Sequence, residues 1–97
     1  MNRDSYTQLL GDLRTQIRAD TAIAIGLYDE RRAHADVQLK AIAAYQTVIP
    51  KLPQHLESLT DAVHSFYSTN SHRGWSQQFA LRDLEKMESL WPVQENH

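Results

Sequence analysis

No proline precedes Pro50, and the two that follow it are Pro53 and Pro92. Proline removes a backbone donor and clashes with the preceding turn, so a proline-free first half permits long helices and the later prolines mark breaks. Between these marks the apolar residues recur at three- and four-residue intervals rather than alternately. The polar run from Ser68 to Gly74 adds a further break. The pattern predicts an all-α chain, a small helical bundle in a single domain spanning residues 1–97.

Four segments follow from the spacing. Over residues 5–19, Tyr6, Leu10, Leu13 and Ile17 form one stripe widened by Leu9, with Ser5 or Asp4 as the cap and Gln8, Asp12, Arg14, Thr15 and Arg18 opposite. Over 21–49, Ala24, Tyr28, Ala35, Leu39, Ile42, Tyr45 and Ile49 continue on one side. Asp20 and Thr21 offer a cap for a new helix, and Gly26 weakens this stretch by about 1 kcal/mol relative to alanine. The segment from 5 to 49 therefore reads either as one helix or as two. Over 53–69, Pro53 sits in the first turn, ahead of Leu56, Leu59, Val63 and Phe66. Over 74–91, Ala80, Leu84, Met87 and Trp91 repeat the helical period, with Phe79 and Leu90 alongside.

These lengths predict self-association. One helix over residues 5–49 would reach about 67 Å, and one over 21–49 about 43 Å, against about 26 Å for each later helix. Such an element would overhang its neighbours, so the expected unit is a homo-oligomer, a dimer being the commonest closed form. Ala22, Gly26, Ala33, Ala41 and Ala44 keep the long segment thin enough for another backbone, although alanine is also simply the best helix former.

Composition removes several function classes. There is no cysteine, which excludes a disulfide framework, thiol catalysis and thiolate metal sites. Ten basic and twelve acidic side chains are interspersed along the chain, so no helix carries the basic face of a DNA reader. A DNA-binding accessory protein ranks third among the readings. No apolar block approaches the roughly 18 residues of a membrane span, and the first residues carry no signal-peptide pattern, so a cytoplasmic protein without membrane partners is expected. Glycine-rich phosphate loops are lacking, and no two of the five histidines stand one helical turn apart. Glu30 with His34 supplies at most two ligands, short of a zinc site, so no metal or cofactor is expected. Asp61, His64 and Ser68 occupy successive turns, but a regular helix face offers neither an oxyanion hole nor an exposed strained nucleophile. An enzyme is not expected.

Two clusters stand out. Tyr28, Arg31 and Arg32 place a guanidinium where the rotation calls for an apolar residue. That suits a small anionic, nucleotide-like ligand at a subunit seam, or an inter-chain ion pair to Asp29, Glu30 or Asp36. His72, Arg73 and Trp75 place residue types common in binding hot spots on the connection into the last helix, where Trp75 can alternatively pack on Phe79 to cap the core. The leading expectation is a non-catalytic protein-interaction module, an inhibitor, immunity, antidefence or adaptor protein that binds and occludes a larger protein. The anionic-ligand binder is the alternative.

Overall fold

The computed structural model describes residues 1–69 and 72–92. Four α-helices account for most of them: α1 (Arg3–Ala19), α2 (Tyr28–Ala43), α3 (Leu52–Phe66) and α4 (Arg73–Glu88), with short 3-10 turns at Asp20–Ala22, Ile25–Leu27 and Ala44–Thr47. No strand occurs among the described residues. No helix among them is long and apolar enough to cross a membrane.

The first helix begins earlier than the spacing suggested. Asn2, rather than Ser5 or Asp4, is its cap: the Asn2 side-chain oxygen accepts a hydrogen bond from the Ser5 backbone N–H at 2.8 Å. The predicted stripe of Tyr6, Leu10, Leu13 and Ile17 is fully buried. In α3, Pro53 lies in the first turn, and Leu59, Val63 and Phe66 are buried as expected. In α4 the buried apolar residues are Ala80, Leu84 and Met87. That helix ends at Glu88, short of the expected 91, and α3 ends at Phe66 rather than 69.

The segment from 5 to 49 is two helices, and the second is much shorter than the expected 21–49. Residues 20–27 form two single 3-10 turns, so α2 starts only at Tyr28 and closes into another 3-10 turn at Ala44. Ala24 lies exposed in this connection instead of on the core stripe, and Asp20 does not cap the start of a new helix but is the buried residue that closes α1. With 17, 16, 15 and 16 residues, the helices are all about 22–26 Å long. Nothing overhangs. The length mismatch on which the expectation of a second copy rested is therefore absent, and all four helices contribute to one core. Ala22, Ala33, Ala41 and Ala44 all face solvent.

Consecutive helices are neighbours and α4 returns to α1, giving an up-down-up-down bundle. Its direction is fixed by paired contacts. Tyr6 donates its hydroxyl hydrogen to the Met87 carbonyl at 2.6 Å, and at the other end of α1 the Gln77 side-chain amide donates to the Ile17 carbonyl at 3.1 Å. At the Tyr6 end, the rings of Tyr6, Tyr45 and Trp91 meet with centroids 5.3 to 6.2 Å apart. Of the four adjacent pairs, α3 and α4 lie closest together. Their seam is built from Ser58, Ala62 and Ser65 on one side and Ser76, Ala80 and Asp83 on the other, with Ser58 donating to the Asp83 carboxylate at 2.8 Å. Small side chains at this period let two helical backbones approach.

Gly11 lies inside α1 with nothing near the position a Cβ would take. Gly11→Ala is expected to raise unfolding free energy by about 0.5–1 kcal/mol, whereas Leu13→Ala in the core lowers it by about 2–5 kcal/mol. Urea denaturation followed by helical ellipticity reads both signs.

Candidate functional site

The bundle end opposite the Tyr6–Tyr45–Trp91 cluster is polar inside. Asp20, only 4% exposed, sits where α1 stops. Its carboxylate accepts from the Tyr67 hydroxyl at 2.5 Å and from Arg31 Nε at 2.8 Å. Gln16, one turn earlier on α1, extends the network by donating to the Arg31 carbonyl at 2.9 Å and to the Tyr67 hydroxyl oxygen at 3.1 Å. The Gln16 carbonyl oxygen meets Gln38 Nε2 and His34 Nδ1 at 2.5 and 2.9 Å. A buried carboxylate is tolerable only when paired and hydrogen-bonded, and these partners supply both conditions.

Arg73 closes the same end. Its guanidinium donates three hydrogen bonds of 2.8 Å to the carbonyls of Phe66, Thr21 and Asp20, and lies 4.5 and 4.3 Å from the ring centroids of Tyr28 and Phe66. Helix C-termini leave carbonyls without partners and carry partial negative charge, so one cation here satisfies the ends of α1 and α3 together. It also pins the first turn of α4.

These contacts place the sequence-predicted residues. Arg31 does turn toward the interior, but its partner is Asp20 of the same chain, not Asp29, Glu30 or Asp36 of another. The hydrogen bond to Asp20 raises its already high pKa. Tyr28 is buried with Arg73, rather than Arg31, over its ring. Arg32 points away and pairs with Asp29 at 3.2 Å. Each guanidinium of the two clusters is thus engaged within the chain. His72 precedes α4, where its carbonyl accepts from the Ser76 N–H at 3.0 Å.

Trp75 is placed otherwise. It is 66% exposed, one turn before Phe79, which is 51% exposed, and their ring centroids are 6.3 Å apart. The core-capping alternative for Trp75 is therefore corrected. Both rings stand on the flank of α4 beside the small-residue seam rather than in it. Beside them runs an open groove of about 370 Å³, lined by Asp61, Ser65, His72 and Ser76 as well as the two rings.

The residues Asp61, His64 and Ser68 do not converge. His64 Nε2 meets Asp36 on α2 at 2.6 Å, Asp61 faces the groove toward α4, and Ser68 donates to the Ser65 carbonyl. His34 is held by Gln16 rather than set beside Glu30 as a ligand pair. No group of three or more potential metal ligands occurs among the described residues.

Sequence reasoning missed Gln16, Asp20, Tyr67 and Phe79. The signal for the first two was present, since both continue the α1 stripe from Leu13 and Ile17 at a spacing of three. Polar residues on an apolar stripe are what singled out Arg31. Comparison of the chain with protein-family models, with curated proteins and with solved structures finds no match.

The polar end sets two expectations. Asp20→Ala leaves the Tyr67 hydroxyl and Arg31 without their acceptor and is expected to lower stability by about 2–3 kcal/mol in urea denaturation. Burial raises the pKa of Tyr67, with the Asp20 bond adding to it, and burial followed by the Glu88 charge pushes Tyr6 up to about 12. Because folding favours the neutral phenol, this stability is complete below pH ~10 and falls as the pH climbs from there toward 12, by up to about 1.4 kcal/mol per unit for each tyrosine. In an alkaline titration, the tyrosinate absorbance of these two residues should appear together with loss of helical ellipticity, and that part of the signal should vanish in the Tyr6→Phe/Tyr67→Phe variant.

Proposed function

We propose that this chain is a non-catalytic protein-binding module of the inhibitor, immunity, antidefence or adaptor kind, which seats the Trp75–Phe79 face of α4 on a larger protein. The observation that carries the reading is the pair of large rings held in solvent on a regular helix. Monomeric proteins seldom present such rings side by side without use, and aromatic side chains supply much contact area with few rotatable bonds to order. The Arg73 anchor supports it further, because it holds the helix turn that bears Trp75 against the ends of two other helices.

The matched helix lengths make a single chain the proposed binding unit. The alternative of a nucleotide-like ligand at Tyr28, Arg31 and Arg32 gains no support from a cluster whose cations are already paired.

The test is affinity capture from a lysate of the native cells with the wild-type chain and with Trp75→Ala/Phe79→Ala. A stoichiometric protein retained by the first and lost by the second, with unfolding free energy unchanged within about 0.5 kcal/mol, is the expected result. Equal capture by both rules the face out. Light scattering on the same two proteins tests the remaining occupant: a dimer that the double substitution dissolves would make a second copy the binding partner.

A further inference from the structure

We propose that the α3–α4 groove takes a basic segment of the partner protein, with an arginine or lysine side chain held between the Asp61 carboxylate and the face of Trp75. The inference rests on the protein-binding reading and gives that surface its chemistry.

Charge is left over at the groove. Asp61 is exposed at the groove and forms no hydrogen bond or ion pair with any described residue. No lysine or arginine lines the groove. Its α3 wall cannot supply one, because α3 contains Glu57 and Asp61 and neither lysine nor arginine. The cation nearest Trp75 along the chain is Arg73, whose guanidinium is turned away to Tyr28, Phe66 and three carbonyls. What remains is a carboxylate and two exposed aromatic faces lining one groove, with no lysine or arginine among the described residues that line it.

A guanidinium or ammonium group satisfies both features at once, through an ion pair to the carboxylate and attraction to the negative ring faces. The opposite flank of α4 shows the contrast. There Arg14, Arg18 and Arg82 stand beside Glu85 and Glu88, and Arg14 pairs with Glu88 at 3.2 Å. That side carries charges of both signs.

The groove is also the right form for a protein segment. It is open and elongated along the helices, with Trp75 and Phe79 one helical turn apart, so successive apolar side chains of a helix laid along it meet successive rings. Ser65 and Ser76 on its walls are small enough to let that backbone come near.

The test uses three fluorescently labelled helical peptides that share one leucine face and differ in its flanking residue: arginine, glutamine or glutamate. Anisotropy titrations with the full chain should give binding about fivefold tighter for the arginine peptide than for the glutamine peptide, and weakest for glutamate. Asp61→Asn should remove the preference, Asp61→Lys should reverse it, and Trp75→Ala should weaken all three peptides. Helical ellipticity confirms the fold of each variant. Equal binding of the arginine and glutamine peptides, or a preference that survives Asp61→Asn, overturns the inference; if Trp75→Ala still weakens binding, the protein-binding reading stands without it. No binding of any peptide overturns the basic-segment inference, while the lysate capture decides the broader reading independently.

Discussion

The carboxylate of Asp20 ends one helix, begins the path to the next and is buried where all four helices meet at one end of the bundle. A buried charge is costly, and this one is met by Arg31 of α2 and by Tyr67 at the close of α3. Its own backbone carbonyl is met by Arg73 of α4. The position of each helix end is therefore written into the hydrogen-bond demands of a single residue. Apolar burial draws the four stripes together. It has no direction along the helix axis, and the Asp20 network supplies that direction.

How much of this could be read from the chain differs helix by helix. The α1 and α3 stripes were plain because nearly every inward position is apolar. In α2 the side toward α1 carries Arg31, His34 and Gln38, which pair with Asp20 and Gln16. A pattern that equates polar with solvent-facing loses the rotation at that point. The same equation let the apparent stripe run from Ala24 to Ile49 as if it belonged to one helix, and that length was the ground on which a dimer was expected. Buried polar residues on one helix become legible only with their complements on another, and those complements are distant in the chain.

The candidate surface was legible by type more than by place. Tyr28, Arg31, Arg73 and Trp75 were singled out as residues with a task beyond propensity. For the first three, that task is to bind the end of the bundle together. Trp75 faces solvent on the flank of α4, beside a seam lined by small residues such as Ala62, Ser65 and Ser76. Residue identity signals that a side chain is unusual, while the partner that satisfies it, internal or external, depends on packing distances that no spacing rule contains.

Arg73 reaches carbonyls that lie 52 and 53 positions earlier in the chain, and Tyr67 reaches Asp20 across 47. Contacts of that separation close only after the intervening loop entropy has been surrendered, so they belong late in folding, after the local helical turns. The first turn of α4, which presents Trp75, is thus held partly by contacts that require the first half of the chain to be in place. A nascent or partly unfolded chain would have helices but no fixed aromatic face. Recognition through that face would then be reserved for molecules whose two halves have already come together.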